Sequence, residues 1–185
     1  MNALTEIKNF ELGEFFKQSP ELITDYVEIL KHVQPIQTKN EIFHLKLKDV
    51  EFIKEHLMSN SDEEILDIIS KVQGLKPKEV MKIKIVEFFG LMNSIKEQII
   101  QINKAEASSL VSDHVNFKWE AVNGSERLQK FGIYNTLDSL SDGDILKWNA
   151  IMELPYSDVF MKLLINKTQS DLSYEMNQIK EIKTN

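Results

Sequence analysis

Between residues 80 and 103 the side chains of Val80, Ile83, Val86, Phe89, Met92, Ile95, Ile99 and Ile102 recur at spacings of three and four. At 3.6 residues per turn this period lines one face of an α-helix. The segment MKIKIV at its start also alternates as a strand would, so the spacing predicts a helix over about 85–103. No other apolar-periodic run in the chain is as long.

Shorter signals flank it. Ser19-Pro20-Glu21 reads as an N-cap, a proline at the first helical position and a first-turn acid, followed by Leu22, Ile23, Tyr26, Val27, Leu30 and Val33. Pro35 ends that helix. Leu4, Ile7, Phe10, Phe15 and Phe16 are loosely helical, with Gly13 against them. In EIFHLKLKDV, Phe43, Leu45 and Leu47 alternate with His44, Lys46 and Lys48, which predicts a half-buried strand. Its lysine face either pairs with another chain or guards an edge against pairing. Val50, Ile53 and Leu57 suggest a short helix behind Asp49. Ser61 to Glu64 form a capping box for a helix that Gly74 closes. KAEASS is a polar break. Val115, Phe117 and Trp119 predict a second strand, and Asn123-Gly124 a turn. Leu128 to Leu140 read as two short helical pieces broken at Gly132.

These readings give a mainly α-helical fold with a few short β-strands. Residues 1–105 form an N-terminal helical lobe with one strand, and 106–170 a C-terminal helical lobe with one strand. Residues 171–185 form a polar, partly disordered tail in which Leu172, Met176 and Ile179 support only a weak helix.

Composition narrows the function. The chain has 185 residues, 42% hydrophobic and 28% charged, an ordinary globular balance that can bury roughly 70% of its unfolded surface without disulfides or metal. It has no cysteine, which removes thiolate catalysis and cysteine-based zinc sites and fits a reducing compartment. A net charge of −7 and a single arginine, Arg127, among 22 basic residues disfavour a nucleic-acid partner or a phosphate reader. The start, with Glu6 and Glu11, lacks the uninterrupted apolar core of a secretory signal, and no window reaches 18 apolar residues. The expectation is a cytoplasmic protein without a membrane partner.

No glycine-rich phosphate loop is present, and His32, His44, His56 and His114 lack zinc-ligand spacing. Asp138 to Gly143 fails as a calcium loop, because Leu140 and Asn149 fall where acidic ligands belong. Ser141 and Asp144 read instead as a capping box. Glu87 reads as an edge residue and Arg127 as a surface one. The expectation is no enzyme, no catalytic residues, no metal and no cofactor.

The densest apolar stretch is LKWNAIMELPYSDVFMKLL, 146–164. Pro155 breaks it into two helices, with Trp148, Ile151 and Met152 on the first and Val159, Phe160, Leu163 and Leu164 on the second. At helical spacing such a stripe serves as core. Its aromatic and methionine density also suits an interface, and the candidate partner-binding residues are Trp148, Met152, Tyr156, Phe160 and Met161.

In residues 45–103, LKLKDVEFIKEHL leads into DEEILDIISKVQGL, the turn Gln73-Gly74-Leu75, a Lys-Pro restart and VEFFGLMNSIKEQI. This order resembles the tail assembly chaperones and related small tail and baseplate proteins of tailed bacteriophages. FKWEAVNGSERLQKFG and LDSLSDGDILKWNAIMELPY are similar in style to phage virion-assembly proteins. The resemblance implies a non-enzymatic role in tail morphogenesis, with no catalytic residues to carry over. The expected role is a chaperone that coats the tape-measure protein in the cytoplasm of the infected host; a homo-oligomer is possible. The alternative is a structural subunit of the virion tail, neck or baseplate, and a third reading is an unrelated α-rich interaction module.

Overall fold

Helical period dominates the apolar pattern, and helices dominate the fold. The structure, a computed structural model, describes residues 9–182 apart from Asn60, Asp113 and Val115, with side chains described through Ile179. In chain order the helices are α1 (Leu12–Phe15), α2 (Pro20–Leu30), α3 (Leu47–His56), α4 (Asp62–Gln73), α5 (Pro77–Val80) and α6 (Ile85–Ser109). They continue as α7 (Phe117–Ala121), α8 (Gly124–Gln129), α9 (Ile133–Leu140), α10 (Trp148–Met152) and α11 (Tyr156–Ile182). Among the described residues, extended pairing is limited to two isolated bridges, Glu11 with Lys84 and Lys46 with Pro155. The chain is mainly α.

Two compact units emerge. The first joins Met1–Leu45 to Phe52–Gln101, and the second joins Lys46–Glu51 to Ile102–Asn185. The division at Gln101/Ile102 falls just before the polar run KAEASS, which forms the last turns of α6.

In the first unit α6 supplies the longest wall of the core. Ile85, Phe88, Leu91, Met92, Ile95 and Ile99 are buried along it. The same unit buries Leu12 and Phe15 of α1, Leu30 of α2, Ile68, Ile69 and Val72 of α4, and Val80 of α5. Ser19 caps α2, accepting from the Leu22 amide, and Ser61 caps α4, accepting from the Glu64 amide. Gly74 closes α4 in the left-handed conformation at φ 62°, which a side chain would strain. The Glu64 carboxylate serves no capping box. It takes the Ser59 hydroxyl and lies 3.1 Å from His56 Nδ1.

Two polar side chains of α6 fasten the irregular segment 31–42, a role that sequence reasoning does not anticipate. Asn93 Nδ2 donates to the Val33 carbonyl at 2.7 Å, below the end of α2. Gln98 Oε1 accepts from the Ile42 amide at 2.8 Å, and Gln98 Nε2 donates to Thr38 Oγ1 at 2.9 Å. Backbone groups that no helix satisfies thereby find partners.

Three expectations need correction. The strand expected at 43–47 is absent: Ile42–His44 form a 3-10 turn and Leu47 already begins α3. The buried residues here are Ile42, Leu47, Val50 and Ile53, a helical rather than alternating set. A strand with no neighbour cannot satisfy its amides, and the helical period wins. The second strand is absent as well. Asn116 Oδ1 accepts from the Trp119 amide at 3.2 Å and starts α7; Val115 lies outside the described residues. Third, the polar stretch from 166 onward continues α11 through Ile182, so residues 171–182 are helix; residues 183–185 lie outside the described part.

The expected break at Glu153-Leu154-Pro155 is present. The Leu154 amide closes α10 on the Ile151 carbonyl at 3.1 Å, and α11 begins after Pro155. Within the second unit this break is held from outside. The Leu47 amide donates to the Leu154 carbonyl at 2.9 Å, Lys46 Nζ lies 2.7 Å from Glu153 Oε2, and Lys48 pairs with the other oxygen. The lysines once read as a strand face are a two-pronged clamp on one carboxylate, which they hold down to about 2.

Candidate functional site

In the second unit Trp119, Tyr134 and Trp148 stand on three short helices, and Phe131 lies in the turn between two of the unit's helices. α7 is one turn long, and after it Asn123 takes a left-handed conformation at φ 51°, reversing the chain into α8. Gly124 then comes directly beneath the Trp119 indole. A Cβ at 124 would lie 2.2 Å from Trp119 Cε2, so only glycine allows the approach. Trp119 Nε1 donates to Ser125 Oγ at 3.1 Å and fixes the ring's rotation.

This arrangement forms one wall of a concavity of about 290 Å³ lined by Trp119, Val122, Gly124, Arg127, Leu128, Lys130 and Phe131. A second concavity of about 240 Å³ is lined by Leu128, Phe131, Tyr134, Asn135, Asp138 and Trp148. Leu128 and Phe131 border both, and the two halves make one aromatic groove. Lys130 Nζ sits 5.0 Å from the centre of the Phe131 ring, a cation–π distance.

The far end of the groove is braced from below. Trp148 Nε1 donates to Ser141 Oγ at 3.2 Å, and Ser141 Oγ donates to the Asp138 carbonyl at 3.1 Å. Ser141 is buried and is not the N-cap predicted from S-x-x-D. Asp144 is the cap, accepting from the Leu146 amide. The Tyr134 and Trp148 rings lie 5.5 Å apart at 43°. Phe131 and Tyr134 are about half exposed. The groove is therefore apolar along its floor, basic at Arg127 and Lys130, and acidic at Asp138.

Of the five candidate partner-binding residues, only Trp148 lines this groove. Met152 is half-buried on α10. Tyr156 is 2% exposed and presents no surface to a partner. Its hydroxyl donates to Glu106 Oε1 at 2.6 Å, and burial, with that carboxylate beside it, pushes the phenol far above its ordinary range. The half-buried Phe160 ring lies 6.2 Å from it. Met161 is 54% exposed, and on α11 it lies roughly 140° around the helix from Tyr156. The five do not form one patch.

Sequence reasoning missed Trp119, Leu128, Phe131 and Tyr134. The available signal was Asn123-Gly124 close behind a tryptophan, which marks a tight reversal able to seat a ring.

Chemically the groove offers an apolar, aromatic surface. Its polar lining is Arg127, Lys130, Asn135 and Asp138, and contains no nucleophile beside a base. Among the described residues no three His, Asp or Glu side chains gather to hold a metal, and no helix is long and apolar enough to cross a membrane. Comparison with protein families, with curated proteins and with solved structures finds no match to this chain.

Proposed function

We propose that this chain is a non-enzymatic protein-binding factor of phage tail morphogenesis, an assembly chaperone that holds the tape-measure protein in the host cytoplasm. The observation that carries the binding role is the open aromatic groove from Trp119 to Trp148, in which hydrogen bonds fix the two indoles while Trp119, Phe131 and Tyr134 remain exposed. Rigid aromatic side chains with one face free are the usual anchors of protein recognition. A helical partner would set apolar residues at i, i+3, i+4 and i+7 into the groove. Its acidic flank would meet Arg127 and Lys130. The assignment to tails rests on the resemblance over residues 45–103.

The partner surface is accordingly Trp119, Leu128, Phe131, Tyr134 and Trp148. The built-in virion subunit is the competing reading. Mass spectrometry separates them: a chaperone co-purifies with the tape-measure protein from infected cells and is missing from finished particles. Stoichiometric presence in purified particles would overturn the chaperone role.

A further inference from the structure

Helix α11 carries a second apolar feature, unrelated to the groove. Met161, Ile165, Leu172, Met176 and Ile179 are all exposed. At 100° per residue they fall within an arc of roughly 60°. A helix that serves a globular core shows a broader apolar face, whereas a seam this narrow is typical of helix-to-helix pairing in coiled coils. Thr168 lies in the same line, and its hydroxyl is already used, donating to the Leu164 carbonyl at 2.9 Å.

The chain's own unit holds the other side of α11. Tyr156 and Val159 are buried there. Further along, Ser112 Oγ donates to Asp171 at 2.8 Å, Lys167 pairs with Asp171 at 2.7 Å, and His114 stacks on Tyr174 at 4.3 Å. The seam faces away from all of these and is left for something else.

We infer that the seam pairs with the same seam of a second copy of this chain, antiparallel, about a two-fold axis near residue 170. Two observations favour a second copy. The spacing is nearly its own mirror image: Met161 falls opposite Ile179, Thr168 opposite Leu172, and Ile165 within one residue of Met176. A two-fold interface demands this self-complementarity, and a foreign partner does not. Area also suffices: five side chains about half exposed on each copy remove on the order of 1,000 Å² in total, the threshold for a specific interface.

Analytical ultracentrifugation of the full chain tests the pairing. The wild type is expected to sediment as a dimer. Leu172→Glu and Met176→Glu, both at exposed positions, are expected to weaken the dimer by at least about tenfold with an unchanged helical circular-dichroism spectrum. A monomeric wild type, or charge variants that dimerise as the wild type does, would overturn the inference. Since the chain has no cysteine, direction can be read by crosslinking. Met161→Cys mixed with Ile179→Cys is expected to form the mixed disulfide, and neither variant to crosslink with itself. Self-crosslinking of Met161→Cys without the mixed product would show a parallel pair and overturn the antiparallel arrangement. This inference does not rest on the groove, so either can fail alone.

Discussion

The two units handle apolar side chains in opposite ways. In the first, Ile68, Ile69, Val72, Ile85, Leu91 and Ile95 are almost wholly removed from solvent, and exposed large apolar residues such as Met58 and Ile29 are scattered. In the second, the buried apolar set is short, namely Leu47, Val50, Ile102, Leu137, Ile151, Tyr156 and Val159. Phe117, Phe131, Tyr134, Leu146, Met161, Leu172 and Met176 remain exposed. Scattered exposure is ordinary, but grouped exposure marks contact surfaces. The first unit spends its hydrophobic residues on stability, and the second keeps a large share on its surface.

Substitutions can break that contrast. The largest effect is expected at Ile95, which has no solvent exposure. Ile95→Ala should cost about 2–5 kcal/mol, read by urea denaturation, because it removes buried methyl groups and leaves a cavity. Next comes Gly124→Ala, where the new Cβ meets the Trp119 ring. It should cost about 1–3 kcal/mol through overpacking and shift tryptophan fluorescence as the indole is displaced. Of similar or smaller size is Gln98→Leu, which keeps the volume but leaves the Ile42 amide without its acceptor. A loss of about 1–3 kcal/mol is expected, together with faster hydrogen exchange at that amide.

The smallest effect belongs to the exposed clamp of Lys46 and Lys48 on Glu153. The carboxyl is held at about 2 in the folded chain against an ordinary 4.5. A depressed folded value means the stabilisation is fully present above about pH 4.5 and is lost as pH falls toward 2. Exposed pairs are screened by salt, so Glu153→Gln should flatten the acid limb only slightly, and less at high ionic strength. An NMR titration in which Glu153 titrates at the ordinary value would show that the clamp does not form in solution.

Much of the helical frame was legible because its signals are local. Ser19-Pro20, Ser61, Gly74 and Pro155 each act within a turn of themselves, and their caps and breaks fall where the sequence puts them. The two strands were misread because alternation over five residues fits either period when no partner strand can be seen. Around residue 47 the deciding fact was the continuation Leu47, Val50, Ile53. At 117 it was the Asn116 cap. The polar end of α11 looked weak because its helical spacing supports no core. The same spacing is the feature that faces outward in the structure. The groove was hidden for a different reason: Trp119 meets Gly124 through a left-handed residue, and Trp148 meets Tyr134 across two helices, neither of which has a periodic signature.

The central claim is that the groove serves recognition and not stability. The most direct measurement is a pair of readings on Phe131→Ser and Tyr134→Ser: the urea midpoint, and affinity for helical segments of the tape-measure protein by calorimetry. Midpoints within about 0.5 kcal/mol of the wild type, with affinity reduced at least about tenfold, are expected. A large loss of stability with affinity unchanged would show that the rings belong to the core of the second unit, and would contradict the claim.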